Sequence, residues 1–321
     1  VDLDGTLIRT DLLAETANQF LIEHPVQSVR LLAWLAQGKS ALKTHLAAAS
    51  GVDAATLPYN DQLLEWLREQ RAQGRPLVLA TASHHTLADR VARHLGLFDD
   101  VLATNASTNL KAGAKRDALV ARFGERGFDY VGNDWADLPV WRSASTAHVV
   151  SRSARLIAKV RAHGNLGQTF DDGRPPLAKA ILRAVRPHQW VKNLLVFIPL
   201  LAAHRYADAA GVLQALLAFV VFGLTASSVY LLNDLVDVTD DRHHPFKRGR
   251  PFAAGHLGLA VGWLLWPVLP VLAFGLAGWT LPPRFLAVLA AYFMLTLAYS
   301  LRLKQEPVLD VLTLAALYTD R

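Results

Sequence analysis

Three aspartates in one short stretch have the spacing of a divalent-metal site. The stretch NDLVDVTDDRHHPFKRGRP lies between two apolar segments, and its Asp234, Asp237 and Asp241 follow one another at i, i+3 and i+7. On a helix these positions share one face, where three carboxylates repel each other unless cations lie among them. Mg²⁺ readily bridges carboxylates to substrate phosphates, and Lys247 and Arg250 add donors for those phosphates. The pattern predicts a diphosphate site.

A second set of polar residues follows the predicted strands of the amino-terminal half. Asp2 and Asp4 lie two apart on the first strand, so their side chains point the same way. Thr81 ends the next strand, Lys115 begins a helix, and Asp137 follows the strand ending in YVG. Because open α/β sheets bind ligands at the carboxyl ends of their strands, we expect these groups to converge. The carboxylates suit Mg²⁺, and the hydroxyl and ammonium groups suit a phosphate.

The elements that must position this second set alternate between strands and helices. Helical periodicity over about residues 11–73 predicts a cap inserted after the first strand. Apolar runs then alternate with helical patterns, which predicts a doubly wound α/β domain over residues 1–162. The predicted strands are 1–4, 76–80, 101–104 and 130–132, and the helices between them are about 86–95 and 115–123.

The carboxyl-terminal half has the composition of a membrane domain. A polar stretch rich in Gly and Pro over residues 163–178 predicts a linker. Residues 179–321 are predicted to form an all-α transmembrane bundle of about four to five spans. The apolar segments are 190–204, 209–232, 257–281 and 284–301, and a fifth begins near 308.

Overall composition narrows the function classes. The 321 residues are 52% apolar and 19% charged, and they include no cysteine. Disulfides, thiolate metal sites and cysteine nucleophiles are therefore excluded. The net charge of +6 suits a protein that contacts an anionic membrane surface or handles phosphate. No nucleic-acid partner is expected, because the basic residues are not grouped with aromatic residues.

The positions of Lys and Arg predict the orientation of the spans. Basic residues are concentrated before the first span, after the second and after the fourth, which places these segments and the 1–162 domain in the cytoplasm. The chain is thus expected to be a multi-pass protein of the plasma (inner) membrane. A cytoplasmic loop would explain the basic residues near 247 but not the aspartates. The basic residues are Lys179, Arg183, Arg186 and Lys192, then Arg242, Lys247, Arg248 and Arg250, then Arg302 and Lys304, against only Arg205 and Arg284 in the other loops.

The first 150 residues resemble the haloacid-dehalogenase-type phosphatases. VDLDGT, LATAS, the lysine of GAKRDAL, and VGNDWADLP match the four motifs of that family in order. The resemblance implies that Asp2 is a nucleophile that forms an aspartyl-phosphate and that Asp4 is the general acid and base. It also implies that Thr81 and Lys115 bind the phosphate, and that Asp2, Asp4 and Asp137 serve Mg²⁺.

The phosphatase resemblance leaves three points open. Asn133 replaces the first acidic residue of the last motif, so a non-catalytic phosphate-binding module is an alternative. Lys111 is a rival for the role of Lys115. Thr81 is also suited to capping a helix.

Residues 180–321 resemble the UbiA superfamily of intramembrane prenyltransferases. NDxxDxxxD matches the first aspartate-rich motif of that superfamily, and RPHQWVKN, HPFKRGRP and YSLRLKQEPVLD fit a branch similar to decaprenyl-phosphate phosphoribosyltransferases. The resemblance implies a bundle of about nine spans in which Mg²⁺ joins the substrate diphosphate to two such motifs. Within this chain it implies a metal and diphosphate site at Asn233, Asp234, Asp237 and Asp241, charge neutralisation by Lys247 and Arg250, and a cavity lined by Lys192, Asn193, Tyr299 and Lys304.

The reaction implied for the branch is transfer of 5-phosphoribose from its 1-diphosphate to a polyprenyl phosphate, for cell-wall arabinan. The alternative within the superfamily is prenyl transfer to an aromatic acceptor, as in quinone or haem-type lipid synthesis. Because only the first aspartate-rich motif is present, we expect the chain to be a fragment that is inactive alone as a transferase. The fused phosphatase-like domain is expected to remove the 5-phosphate of the product.

Overall fold

The chain folds into two compact units. The computed structural model describes residues 1–49, 51–104, 110–204 and 207–301. The first unit is Val1–Arg174 with Ala254–Gly258, and the second is Pro175–Ala253 with the residues from Leu259 onward.

The first unit contains parallel strands. Strand β1 pairs with β2, and β4 pairs with both β3 and β5, in parallel throughout. This confirms the parallel α/β architecture that the sequence predicts. The strands are β1 (Val78–His84), β2 (Asp100–Thr104), β3 (Tyr130–Gly132), β4 (Ala147–Val150) and β5 (Leu166–Phe170).

The first residues of the chain join the two groups of strands. The backbone N–H of Ala80 donates to the carbonyl of Val1 (2.8 Å), and the N–H of Asp2 donates to the carbonyl of Val131 (2.9 Å). The segment at residues 1–3 therefore lies between β1 and β3. Leu3, which follows Asp2, is completely buried in the core. Asp2 and Asp4 thus lie between the carboxyl ends of two neighbouring strands.

Helices surround these strands and occupy the region predicted as the cap. The first four precede β1 and the next four follow it. They are α1 (Leu12–Glu23), α2 (Val29–Ala36), α3 (Lys39–Ala49), α4 (Asp61–Ala72), α5 (His85–Leu95), α6 (Gly113–Phe123), α7 (Leu138–Ser143) and α8 (Ala154–Arg161).

The linker predicted over residues 163–178 needs correction in its first part. Leu166–Phe170 form β5, because the N–H of Ala147 donates to Asn165 and the N–H of Ser151 donates to Phe170, which extends the sheet by one strand. The sequence LGQTF has only two large apolar residues, at its ends, so its apolar pattern is too weak to predict a strand.

The second unit is helical. Among the described residues, three helices are long and apolar enough to cross a membrane: α11, α13 and α14. They correspond to the predicted segments 209–232, 257–281 and 284–301. The helices are α9 (Leu177–Val185), α10 (Ile198–Ala202), α11 (Ala209–Val236), α12 (Val238–His243), α13 (Leu259–Thr280) and α14 (Pro283–Leu301).

The first predicted span, residues 190–204, does not form a membrane-length α-helix. Pro187–Phe197 form a 3₁₀ helix, and only the five residues of α10 continue it as an α-helix. Proline begins the first segment, and Pro199 is near the start of the second, where its ring is tolerated. The fifth predicted segment, from residue 308, lies outside the described residues.

Candidate active sites

The predicted nucleophile Asp2 lies beside a buried lysine. Lys115 donates from Nζ to Asp2 Oδ1 (2.6 Å) and to the Tyr130 hydroxyl (2.9 Å), and its Nζ lies 3.7 Å from Asp137 Oδ1. Asp2, Lys115 and Asp137 are all buried. The structure therefore brings together three residues that the sequence places 113 and 22 positions apart.

Lys115 is held in its charged form. Burial lowers the pKa of Lys115, but the charges of Asp2 and Asp137 and the hydrogen bond to Asp2 raise it further, so the net shift is upward. A permanent ammonium group next to Asp2 offsets the repulsion between a carboxylate and a phosphate dianion. Asp2, Asp4 and Lys115 line a cleft, and the rival Lys111 is exposed at the surface of this cleft.

Asp4 has the hydrogen bonds and the environment of a general acid. Its carboxylate accepts from Ser83 Oγ (2.6 Å), from Thr81 Oγ1 (3.4 Å) and from the N–H of Leu12 (2.8 Å). Burial, followed by the charge of Asp11, raises the pKa of Asp4 from 3.8 to about 7. A carboxyl group with this pKa is substantially protonated near neutral pH and can give a proton to a leaving oxygen.

The predicted phosphate ligand Thr81 is placed differently from the expectation. Its side chain is completely buried, and its hydroxyl contacts Asp4 and accepts from the N–H of Ser83 (3.0 Å). Of the two hydroxyl residues in ATAS, Ser83 is the one that lines the cleft beside Asp2 and Asp4. Two hydroxyl residues in ATAS were available, and the alternating directions of a strand do not separate two residues spaced two apart.

Asp137 positions the loop after β3. Its Oδ2 accepts from the N–H groups of Asn133 (3.0 Å) and Asp134 (3.2 Å), and its Oδ1 accepts from the Tyr130 hydroxyl (2.9 Å). Both oxygens are therefore used by protein donors. Asp137 thus orients the loop after β3, and its predicted role toward Mg²⁺ stays a prediction.

Asn133 and Asp2 provide oxygens suited to Mg²⁺. The Thr6 hydroxyl contacts both Asp2 Oδ2 (3.3 Å) and Asn133 Oδ1 (3.1 Å), so Thr6 bridges these two oxygens and holds them near each other. Carboxylate and amide oxygens are hard ligands of the kind that Mg²⁺ accepts, alongside waters. The amide at position 133 thus fits a metal site, although it brings no charge.

Gly5 allows Asn133 to approach the first turn, and its replacement gives a prediction. Gly5 has φ +75°, and a Cβ atom there would collide with the Asn133 amide. The left-handed backbone alone costs an alanine about 1–2 kcal/mol. Gly96 has φ +62° with open space around its Cβ position, so Gly96→Ala is the matched control. Gly5→Ala is expected to lower the melting temperature more than Gly96→Ala does and also to reduce phosphate release. If both variants changed the melting temperature and phosphate release equally, the close approach of Gly5 to Asn133 would have no role.

In the second unit, two arginines hold two of the predicted aspartates. Arg186 donates from Nη2 to both oxygens of Asp234 (2.6 Å each). Arg250 donates from Nη1 to Asp234 Oδ1 (3.1 Å) and to Asp241 (3.0 and 2.8 Å). Asp234 and Asp241 are each 2% exposed. Because Arg250 Nη1 contacts both carboxylates, the side chains of Asp234 and Asp241 lie next to each other.

The helix expected to carry all three aspartates is interrupted at the middle one. Helix α11 ends at Val236, and half-buried Asp237 joins it to α12. The helix is thus interrupted at one residue, but the N–H groups of Asp237 and Asp241 still donate to the carbonyls four residues earlier (2.8 Å each), and Asp234 and Asp241 still meet. Within the described ranges, no three Asp, Glu, His or Cys side chains are grouped as a metal site.

The other predicted residues of this site differ in burial. Asn233 is half-buried, and its carbonyl accepts from the N–H of Asp237 (2.8 Å). Asn193 is 1% exposed, and its amide has no hydrogen-bond partner in the part of the chain described. Lys192 and Lys247 are exposed, Tyr299 is half-buried on α14, and Lys304 lies outside the described residues.

Arg186, which the distribution of Lys and Arg marks only as a residue on the cytoplasmic side, contacts the predicted metal ligand Asp234. It ends α9 with φ 53°, and its guanidinium group lies 5.5 Å from the centre of the Tyr230 ring. Ser227 fixes the same turn, because its hydroxyl donates to the Val185 carbonyl (2.7 Å) and accepts from Trp190 Nε1 (2.9 Å). The position of Arg186 just before PHQW was the signal in the sequence that it belongs to the site. Its contact with Asp234 joins residues 48 positions apart, which the sequence does not indicate.

Removing Arg186 is expected to destabilise the second unit. Arg186→Ala leaves the buried Asp234 with one arginine instead of two, which we expect to cost about 2 kcal/mol of unfolding free energy. Arg183, exposed on α9, gives a matched control as Arg183→Ala. Thermal unfolding in detergent measures both variants; equal melting temperatures would show that the Arg186–Asp234 pair contributes no stability.

Comparison with known families matches each half of the chain separately. Residues 1–142 match the model of the haloacid dehalogenase-like hydrolases, and residues 194–319 match that of the UbiA prenyltransferase family. These assignments agree with the catalytic geometry around Asp2 and with the three membrane-length helices.

Individual relatives support the same division. An uncharacterized protein of Sinorhizobium fredii, y4nM, is 38% identical over 320 residues, which is 100% of this chain and 62% of that protein. The decaprenyl-phosphate phosphoribosyltransferase of Mycobacterium tuberculosis is 42% identical over 156 residues, 46% of this chain and 51% of that protein. The nodulation protein NoeC of Azorhizobium caulinodans is 43% identical over 141 residues, 43% of this chain and 44% of that protein.

This chain spans less than two thirds of the length of each of these relatives. The matches to the second half and the apolar helices make it a membrane protein. The chain is a fusion of a haloacid dehalogenase-like domain with a UbiA-family prenyltransferase domain.

Proposed function

We propose that the UbiA domain transfers 5-phosphoribose from its 1-diphosphate to a polyprenyl phosphate. The observation that carries this proposal is the 42% identity over 156 residues to a decaprenyl-phosphate phosphoribosyltransferase. The buried pair Asp234 and Asp241, held by two arginines, is consistent with a site for a Mg²⁺-bound diphosphate. The identities of the donor and of the lipid are part of the proposal.

In the proposed transfer, a lipid phosphate oxygen attacks carbon 1 of the ribose. The bond from carbon 1 to the diphosphate oxygen breaks, and the diphosphate leaves with its electron pair. Arg186 and Arg250 are placed to donate to the leaving diphosphate once it displaces them from the carboxylates. Asp234 and Asp241 would hold the metal together with phosphate oxygens of the substrate, because no third acidic side chain is grouped with them among the described residues. The Asn193 amide, which has no partner among the described residues, is available to a substrate.

The haloacid dehalogenase-like domain is proposed to be an active phosphatase. Asp2 attacks the phosphorus atom, the bond to the sugar oxygen breaks, and Asp4 protonates that oxygen. Asp4 then takes a proton from the water that attacks the aspartyl-phosphate, which releases phosphate and restores Asp2. Lys115 and Ser83 are proposed to hold the phosphoryl oxygens, with Thr81 positioning Asp4.

Mg²⁺ is proposed at both sites, held by Asp2 and Asn133 in the first domain and by the aspartates in the second. When bound, Mg²⁺ supplies positive charge that offsets the repulsion between carboxylate and phosphate and that stabilises a leaving diphosphate. The raised pKa of Asp4 and the paired Lys115 support turnover over the alternative of a module that only binds phosphate.

The two activities are proposed to act in sequence. The product of transfer still carries a 5-phosphate, and a phosphatase on the same chain meets it at high effective concentration. We further propose that the phosphatase domain lies in the cytoplasm and that the spans cross the plasma (inner) membrane, as the distribution of Lys and Arg supports.

Labelled donors test the proposed transfer. Membranes that contain the protein are given Mg²⁺, polyprenyl phosphate and phosphoribosyl diphosphate labelled in the ribose. Label in the extracted lipid is the expected result. Label that enters an aromatic ring from prenyl diphosphate, with none from ribose, would instead establish prenyl transfer to an aromatic acceptor.

A further inference from the structure

The cleft at Asp2 and Asp4 is lined by more lysines than the proposed phosphoryl transfer uses, and Asp11 and Asp134 also line it. Its volume is about 290 Å³, close to the lower limit of about 300 Å³ for small-ligand pockets. Lys115 contacts Asp2, but Lys39, Lys43 and Lys111 also line the cleft. The proposed mechanism assigns no role to these three lysines.

Two of these lysines come from one face of a cap helix. Lys39 and Lys43 are four residues apart on α3, and such positions lie next to each other on a helix surface. Lys43 is half-buried and donates from Nζ to the carbonyl of Ala82 (2.6 Å), which lies between Thr81 and Ser83. The contact fixes the Lys43 ammonium group at the carboxyl end of β1, close to the phosphoryl site.

The charges of Lys39 and Lys111 both act on the ammonium group of Lys43. Burial lowers the pKa of Lys43 most strongly; the charges of Asp4 and Asp11 raise it, and those of Lys111 and Lys39 lower it again. Lys43 is therefore near both other lysines as well as Asp4. The carboxylate of Asp11 is engaged as the cap of α1. An anion among the three lysines would relieve their mutual repulsion.

We propose that Lys39, Lys43 and Lys111 bind a second anionic group of the substrate. The substrate class is a phosphomonoester that carries another phosphate, in diester linkage, on the same small polar body. This inference rests on the proposed phosphatase activity and names its substrate class. The proposed transfer product has this form, with a monoester at carbon 5 of the ribose and a phosphodiester at carbon 1.

Binding to the full chain tests the second-anion site. Two pentose 5-phosphates are compared that differ only at carbon 1, where one carries a methoxy group and the other a methyl phosphodiester. Their dissociation constants are measured by titration calorimetry with Mg²⁺, using Asp2→Asn so that the compounds are not consumed. We expect the diester compound to bind at least about tenfold more tightly, as for added charge-assisted hydrogen bonds.

Variants assign the preference to the lysines. Lys39→Met with Lys43→Met, in the Asp2→Asn chain, is expected to remove the preference, whereas Lys159→Met is expected to retain it, because Lys159 is exposed on α8 outside the cleft. Equal binding of the two compounds, or a preference that survives loss of both cap lysines, would overturn the inference. Hydrolysis by the unmodified chain is measured separately: binding with preference but no turnover would refute the phosphatase and leave the second-anion site standing.

Discussion

Asp2→Asn is expected to reduce phosphate release from a pentose 5-phosphate by at least about 10³-fold, because removal of a nucleophile removes the covalent route. An amide at position 2 cannot form the aspartyl-phosphate. Because it has nearly the size of the carboxylate, contacts with Thr6 and Lys115 remain possible. Some loss of melting temperature is expected as well, because Asp137 is then the remaining charged partner of buried Lys115 among the described residues. Malachite-green detection of phosphate and thermal unfolding measure the two quantities.

Asp117→Asn is the control for this prediction. Asp117 is exposed on α6 and pairs only with its neighbour Arg116 among the described residues. Its replacement is expected to leave phosphate release unchanged. Turnover retained by Asp2→Asn would show that another group is the nucleophile.

Asp234→Asn is expected to reduce transfer of ribose label into lipid by at least about 10²-fold, the size of effect seen when one charge-stabilising group is removed from an active site. Asp234 is buried and accepts from both Arg186 and Arg250. An amide at this position removes the charge that orients both arginines, and it weakens any metal site. The measurement is the initial rate of label incorporation at saturating Mg²⁺.

Asp240→Asn is the matched control, because Asp240 belongs to the same stretch but is exposed. It is expected to retain full transfer. An equal loss in both variants would indicate a general charge effect of the stretch, and full activity in Asp234→Asn would remove Asp234 from the site.

Much of the first site could be predicted because its residues lie at the ends of strands. Once parallel strands are predicted, their carboxyl ends meet at one edge, which brings Asp2, Asp4 and Lys115 together without knowledge of any distance. The division of work between Thr81 and Ser83 could not be predicted in this way. Both hydroxyls contact Asp4, Ser83 at 2.6 Å and Thr81 at 3.4 Å, and packing decides that Ser83 is the one that also lines the cleft.

The second site shows where periodicity stops being informative. A spacing of i, i+3 and i+7 assumes a continuous helix, and the interruption at Asp237 is a backbone change without a proline or glycine to mark it. The Arg186–Asp234 pair depends on packing between distant segments, as does the Trp190–Ser227 contact. Hydropathy predicted a span at 190–204 because it counts apolar residues and does not register the form of the backbone, which is a 3₁₀ helix over Pro187–Phe197.

The two domains are proposed to act in sequence on one lipid. Mass spectrometry of the lipid product made from phosphoribosyl diphosphate and polyprenyl phosphate tests this sequential action most directly. The full-length protein is predicted to accumulate polyprenyl-phosphoryl-ribose, and its Asp2→Asn variant is predicted to accumulate the same lipid with its 5-phosphate retained. The same product from both proteins would contradict sequential action of the two domains.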